Sequence, residues 1–176
     1  LLQAPGGMAD GQLLGIPIIT SSQNVDSDFN IPRNTFEECM NQLYSDAEKA
    51  LSLLSLDLKN ITDPSLIRNK YSQDGAQTGQ YNRVFGDDAS QLVSGRIVRA
   101  IMAQASLLAA SPAFNPTGDI EKWRDAAENA AFILNSICGV SGLAQNGVTW
   151  FKNTAELNAI GGGINPAEIL WRTSIG

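Results

Sequence analysis

The amino-acid sequence predicts a mostly α-helical protein with long loops and a little β-structure. Apolar residues recur at spacings of three and four in three separate stretches, and alanines crowd the second and third of them. Proline and glycine punctuate the chain between these stretches, where helices are expected to stop. We therefore expect helical hairpins of the tetratricopeptide type, although the spacing is not a regular ~34-residue repeat.

The first 34 residues are expected to be irregular, with a turn at Asp10-Gly11 and a short extended piece at 16–19. The first helix is predicted over 35–56. Thr35 and Glu38 match a capping box, in which the hydroxyl and the carboxylate each accept a bond from a free backbone amide. Its apolar stripe consists of Phe36, Cys39, Met40, Leu43, Ala47, Ala50, Leu51 and Leu54.

Two further helices are predicted at 89–111, before Ser111-Pro112, and at 119–138, before Gly139. Loops are expected at 57–88 and 140–163, which are polar and rich in glycine, and a short strand at 168–173. The second helix has a predicted stripe of Val93, Ile97, Ile101 and Leu108, widened by Leu107. The stripe of the third consists of Trp123, Ala126, Ala127, Ala130, Ala131, Leu134 and Cys138.

Composition limits the classes of function. The chain of 176 residues is long enough for a domain with its own core, and its apolar content of 43% is that of an ordinary globular protein. The net charge of −6 argues against nucleic-acid binding, because phosphate binding needs clustered Lys and Arg. No stretch approaches the ~20 apolar residues that span a bilayer.

The sequence offers no catalytic centre. It contains no histidine, which removes the commonest general base and a common metal ligand. The adjacent acidic pairs Glu37-Glu38 and Asp87-Asp88 lie at predicted helix starts. Their negative charge is stabilising there, because the N-terminal end of a helix dipole is positive. Cys39 and Cys138 are expected to be buried free thiols rather than metal ligands, with a disulfide between them left open. We expect neither enzymatic activity, nor a metal, nor a cofactor.

Aromatic side chains are the remaining candidates for ligand binding, because their faces stack on the C–H faces of sugar rings. Trp150 lies in a glycine-flanked region and Tyr81 in the predicted loop, so these two are the candidate binding residues, with a structural role as the alternative. Trp123 is expected in the core, and Trp171 is expected to be buried or half-buried in the predicted strand.

Five short segments match one protein family in the same order along the chain. They are GIPII (15–19), IPRNTFEE (31–38), AASPAFN (109–115), WRDAA (123–127) and NPAEILWR (165–172). On these segments the chain resembles the SusD/RagB family. It departs from the family pattern at Leu14, at Gln104 and at the inserted Ala167. The resemblance covers nearly the whole chain but only the middle of a family member, and we expect residues 1–176 to be a single segment of a larger SusD-like domain.

The resemblance implies a nutrient-binding lipoprotein on the outer face of the outer membrane of Bacteroidetes-type bacteria. Such a protein delivers glycans, or peptides, to a SusC-type TonB-dependent transporter for polysaccharide utilization, and binds them through loops outside a tetratricopeptide-like scaffold. The lipid anchor would lie N-terminal to this chain. The alternative function is a protein-interaction scaffold whose ligand is bound by other parts of the protein.

Overall fold

The computed structural model describes residues 8–89, 92–137, 139–143 and 169–171. This part of the chain is mostly helical, which confirms the predicted class. Its strands are β1 (Met8–Ala9) and β2 (Gln12–Leu13), and its α-helices are α1 (Phe36–Leu53), α2 (Asn69–Gln73), α3 (Thr78–Phe85), α4 (Gly95–Ala110) and α5 (Ile120–Asn135). Short 3₁₀ turns occupy Pro64–Leu66, Asp87–Ala89 and Gly139–Gly142.

The two strands form an antiparallel hairpin in which Met8 lies opposite Leu13. The predicted turn is confirmed: Asp10 and Gly11 have φ values of 52° and 77°, and a two-residue type I′ turn needs positive φ at both positions. Leu14 then forms a single bridge with Thr35. The residues that follow the hairpin therefore lie beside the start of α1.

Helix α1 begins where the sequence predicts. The Thr35 hydroxyl accepts a bond from the Glu38 amide at 3.2 Å, and the Glu38 carboxylate accepts one from the Thr35 amide at 2.8 Å. The bond from the Thr35 amide, together with one from the Asn34 side-chain amide, holds the pKa of the Glu38 carboxylate below its usual value. The helix ends at Leu53, earlier than the predicted residue 56, and the next residue, Leu54, is extended. Arg68 donates to the carbonyl oxygens of Ser52 and Leu53, which satisfies this free C-terminal end.

The prediction of a long loop at 57–88 is wrong, because this stretch contains α2, α3 and two 3₁₀ turns. The side chain of Asn82 bonds to the backbone of Ile61 in both directions, at 2.9 and 2.8 Å. Gly75, with φ of 76°, ends α2. The sequence did not predict these helices because they are only five and eight residues long and lie among many glycine and polar residues.

Helix α4 begins at Gly95, later than the predicted residue 89. Its first amides, those of Gly95 and Arg96, donate to the carbonyl oxygens of Ser55 and Leu56 at 2.8 and 3.0 Å. The chain leaving α1 therefore caps α4, in place of a side chain. A Cβ atom at Gly95 would lie 3.1 Å from the Leu56 Cα, so the residue allows this close approach. The helix ends at Ala110, before Ser111-Pro112, as predicted.

Helix α4 packs against both α1 and α5, and its buried face combines small residues with Ile97, Val98 and Met102. The predicted apolar stripe of α4 is therefore wrong in part, since Val93, Ile101 and Leu107 are exposed. The alanines of the opposite face let two neighbouring helices approach closely. One core cluster contains Phe36, Met40, Ala105, Ala109 and Phe114, and a second contains Ala47, Val98 and Met102.

Helix α5 starts after its N-cap Asp119 and ends at Asn135, three residues short of the predicted residue 138. Ala126 is the member of its predicted stripe that is buried, because α5 turns a different face toward α4. Of the predicted strand at 168–173, the structure describes residues 169–171. These three residues have no regular secondary structure. Residues 144–163 of the second predicted loop lie outside the described residues.

Candidate functional site

Residues 14–20 run along the start of α1 and are held there by backbone bonds. The Gly15 amide donates to the Asn34 carbonyl oxygen at 2.8 Å, and the Asn34 amide donates to the Ile16 carbonyl oxygen at 3.2 Å. The Ile18 amide donates to Asn34 Oδ1 at 2.9 Å, and Arg33 Nε donates to the Gly15 carbonyl oxygen. The segments GIPII and IPRNTFEE, 12 residues apart in sequence, are thus direct neighbours in space.

Gly15 and Cys39 touch at the centre of this contact. The Cys39 thiol accepts from the Ile16 amide and donates to its carbonyl oxygen, with 3.4 Å between the heavy atoms in each case. A Cβ atom at position 15 would lie 2.4 Å from the thiol sulfur, so the position requires glycine. Cys39 is a free thiol, as predicted, but half-buried rather than buried. Cys138 lies outside the described residues.

The segment AASPAFN reaches the same place from the end of α4. The ring of Phe114 stacks on that of Phe36, with centroids 4.5 Å apart and planes 25° from parallel. Both rings are at least 94% buried. Asn115 is also buried, and its side chain bonds to the backbone of Asp119 in both directions, which fixes the turn into α5.

An open groove of about 840 Å³ lies between residues 14–20 and α1. Volumes of this size are typical of ligand sites. Its lining is mainly apolar, and its polar groups are on Thr20, Arg33, Cys39, Gln42, Asp46 and Lys49. The apolar lining includes Leu14, Ile16, Ile18, Phe36, Met40, Leu43 and Phe114. Aliphatic walls of this kind suit an apolar chain or side chain better than a sugar, whose hydroxyl groups need hydrogen-bond partners.

A second, polar cleft of about 220 Å³ lies between α1 and α5, with Ser106 and Ala109 of α4 among its lining residues. We call it the α1–α5 cleft. Its other lining residues are Glu37, Met40, Asn41 and Tyr44 of α1, and Asp119, Glu121, Lys122 and Asp125 at the start of α5. Burial raises the pKa of the Tyr44 hydroxyl, and the Asp125 carboxylate raises it further, while a hydrogen bond to Ser106 acts in the opposite direction. Asn129 also donates to Ser106, at 3.4 Å.

Of the two aromatic residues that the sequence singles out, the structure describes Tyr81. Its expected position in an exposed loop is wrong, because Tyr81 lies in α3 and is 93% buried. Its ring packs against Phe85 and Tyr71, and its hydroxyl lies 3.0 Å from the Ser55 hydroxyl. The side chain therefore joins α3 to the end of α1. Trp150 lies outside the described residues.

Exposed aromatic side chains do occur, and two of them are tryptophans that the sequence analysis expected to be at least half-buried. Trp123, expected in the core, is 42% exposed, and Trp171, expected to be buried or half-buried, is 54% exposed. Phe29 and Phe132 are also exposed. Helical periodicity placed Trp123 on an apolar stripe correctly, but the stripe does not face α4. Only knowledge of the neighbouring helix would have revealed that exposure.

An ion pair of Arg96 links the start of α4 to the chain that follows α1 and to the chain that follows α5. Arg96 donates to both carboxylate oxygens of Asp57, at 2.6 and 2.5 Å, and also to the hydroxyl of Ser136 after α5. The guanidinium holds the pKa of Asp57 below its usual value, against the opposing effect of burial. This bidentate contact locks the chain after α1 onto the first turn of α4.

Within the described ranges, no group of three or more acidic, histidine or cysteine side chains is arranged to hold a metal ion. None of the helices described is long and apolar enough to cross a membrane. Comparison with protein-family models, curated proteins and solved structures finds no match for this chain.

Proposed function

We propose that this chain belongs to a nutrient-binding subunit of the SusD/RagB type. The subunit captures glycans, or peptides, at the cell surface and delivers them to a SusC-type TonB-dependent outer-membrane transporter. It sits on the extracellular face of the outer membrane, lipid-anchored through a part of the protein N-terminal to this chain. It catalyses no reaction, and its helices act as a tetratricopeptide-like scaffold.

The observation that carries this proposal is the meeting of segments that are far apart in sequence. GIPII bonds to the start of α1 within IPRNTFEE, and Phe36 of that segment stacks on Phe114 of AASPAFN. WRDAA lies on α5, where Ala126 is buried, and Lys122 beside it pairs with Glu37. Chance matches scattered along a chain have no reason to share one packing unit. Four of the five segments that carry the resemblance therefore support it together.

We assign no ligand contact to the core of this packing unit. Phe36 and Phe114 are buried, and the residues around them hold helices together. Tyr81 is buried as well, so we assign it a role in holding α3 against α1. Trp150 stays the candidate for stacking on a sugar ring, as the sequence predicts.

A second candidate function, a protein-interaction scaffold that binds no nutrient itself, is favoured by a different observation. The outer faces of α4 and α5 leave Ile101, Leu107 and Trp123 exposed. Each of these apolar side chains is available for contact with another protein element. In this alternative the ligand is held by other parts of the protein, and the described helices serve assembly alone.

The test is binding of the intact protein to a panel of soluble polysaccharides by affinity electrophoresis and isothermal titration calorimetry. We expect binding to at least one polysaccharide and loss of most of that affinity in Trp150→Ala. Binding to peptides, with none to any glycan, would overturn the carbohydrate part of the proposal. The scaffold alternative would be favoured if the protein binds neither glycans nor peptides but still co-purifies with the transporter. In that case Trp150→Ala would leave co-purification unchanged. Turnover of a chromogenic glycoside would contradict the absence of catalysis.

A further inference from the structure

The groove between residues 14–20 and α1 offers apolar surface that the described residues leave uncovered. Its volume of about 840 Å³ is several times that of the α1–α5 cleft, at about 220 Å³. Ile16 and Ile19 line it and are 36% and 54% exposed, and Ile18 and Leu43 line it and are half-buried. Covering such side chains with an apolar ligand is favourable by about 25 cal/mol for each Å² removed from water.

The wall that carries the isoleucines is held in place before any ligand arrives. The Ile18 amide donates to Asn34 Oδ1 at 2.9 Å, and the Ile16 amide and carbonyl oxygen both bond to the Cys39 thiol. Pro17 lies between the two isoleucines, and its ring fixes the backbone φ angle there. A wall that is already ordered loses little conformational entropy on binding.

The groove follows α1 lengthwise, and its character changes along that length. The residues of α1 that line it run from Phe36 to Lys49, which corresponds to about 20 Å at 1.5 Å per residue. The lining is mainly apolar near the start of α1, beside Gly15 and Ile16, and becomes polar at Asp46 and Lys49. An elongated groove with an apolar part and a polar end suits a linear amphiphile.

The charges that line the groove favour a negative head group on this amphiphile. They comprise two cations, Arg33 and Lys49, and one carboxylate, Asp46, so the groove has a net charge of +1 in a chain whose net charge is −6. Asp46 accepts a bond from the Gln42 side chain at 3.0 Å. Lys49 is exposed and forms no ion pair with any residue that the structure describes. A carboxylate beside its ammonium group accepts a charge-assisted hydrogen bond.

We propose that this groove binds a free long-chain fatty acid. The acyl chain lies against Ile16, Ile18 and Ile19, and the carboxylate pairs with Lys49. This inference goes beyond the proposed function, because it needs no glycan and involves none of the candidate sugar contacts. Its ligand is the fatty acid in solution rather than the acyl chains of a membrane.

The experiment titrates the intact protein with dansylundecanoic acid, a fluorescent fatty acid whose emission rises in an apolar site. Unlabelled dodecanoate, dodecanol and dodecylamine, each below the concentration at which it forms micelles, then compete with the probe. The three competitors have the same alkyl chain and differ in the charge of the head group. We expect dodecanoate to displace the probe most effectively and dodecylamine least effectively, because the groove has a net positive charge.

The apolar wall is tested with Ile19→Asp, which places a carboxylate in the path of the acyl chain. We expect this variant to weaken binding of the probe by about fivefold or more, since apolar contact is lost and a negative charge is added. Ile101→Asp is the matched control, because Ile101 is 50% exposed on α4 and does not line the groove. Circular dichroism checks that both variants fold.

The head-group contact is tested with Lys49→Gln, which keeps a polar side chain and removes the charge. We expect it to weaken binding of dodecanoate by about threefold or more and to leave binding of dodecanol unchanged. Lys59→Gln is the control, since Lys59 is an exposed lysine outside the groove. An equal loss in both lysine variants would overturn the contact, because a general charge effect would then explain it.

The remaining outcomes separate this proposal from the proposed function. A wild type that does not bind the probe, or an equal loss in Ile19→Asp and Ile101→Asp, overturns the groove as a fatty-acid site. Binding to phosphatidylcholine vesicles without binding to the monomeric fatty acid also overturns it. Each of these results leaves glycan binding, measured separately, as the test of the proposed function. Fatty-acid binding in a protein that binds no glycan supports the groove and counts against the carbohydrate part of that function.

Discussion

The ring of Phe114 lies flat against the ring of Phe36, although 78 positions separate them in the chain (114 − 36 = 78). Phe36 is the first residue of α1, and Phe114 lies four residues after the end of α4. The stack therefore joins the beginning of one helix to the exit of another. It explains why AASPAFN ends as it does: Ser111-Pro112 stops the helix, and the turn that follows carries Phe114 back into the core.

Phe114→Ala is expected to lower the free energy of unfolding by about 3–5 kcal/mol, because it leaves a cavity beside Phe36. Denaturation in urea, followed by circular dichroism, measures this loss. Phe29→Ala is the matched control, since Phe29 is 67% exposed, and it is expected to cost less than about 0.5 kcal/mol. Equal costs for the two variants would contradict a core role for the stack.

Gly15→Ala is expected to destabilise the protein, because the added Cβ would lie 2.4 Å from the Cys39 sulfur. Overpacking of this kind costs about 1–3 kcal/mol. The double variant Gly15→Ala/Cys39→Ala is expected to recover part of the loss, since it removes the sulfur but not the Thr35 carbonyl oxygen at 3.1 Å. As the control, Gly79→Ala in α3 meets no atom within 4 Å and is expected to be neutral or slightly stabilising. If the double variant recovers no stability, the contact with the Cys39 sulfur is not the cause of the loss in Gly15→Ala.

Asp57 is expected to make stability depend on pH in the acid range. Its pKa is lowered in the folded protein, so its contribution is present above the unfolded value of about 3.9 and is lost as pH falls through the folded pKa. Asp57→Asn is therefore expected to cost about 1–3 kcal/mol at pH 7 and progressively less as the pH falls below the unfolded value. Urea denaturation across this range measures the difference. Asp88→Asn, at an exposed carboxylate, serves as the control, and a wild-type-like pH profile in Asp57→Asn would contradict the role of the ion pair.

Tyr81→Phe is expected to cost about 1 kcal/mol of stability, because it removes the hydroxyl that lies 3.0 Å from the Ser55 hydroxyl. Glycan affinity is expected to stay unchanged in this variant, in contrast to Trp150→Ala. Thermal unfolding and calorimetry measure the two effects separately. A loss of glycan affinity without a loss of stability would contradict the structural role and would support Tyr81 as a ligand-binding residue.

Short-range signals were readable from the sequence, and the structure bears them out. The capping box at Thr35, the turn at Asp10-Gly11 and the helix stop at Ser111-Pro112 each involve neighbours within four residues, whose chemistry acts locally. Helices α2 and α3 escaped prediction because they are short, contain many polar residues and lie in a stretch with several glycines. Their stability depends on contacts such as that between Asn82 and Ile61, which periodicity does not reveal.

The sequence by itself determined the helical class, the places where the three long helices lie and the order of the segments that suggest a family. Tertiary structure alone decided which face of each helix is buried. On α4 the alanines pack inward while Ile101 faces outward, and on α5 Trp123 is exposed beside the buried Ala126. The physical reason is that periodicity identifies an apolar stripe, whereas burial depends on which neighbour approaches and how closely. On α4, Ala105 and Ala109 allow the neighbouring helices to approach closely, beside the buried side chains of Val98 and Met102.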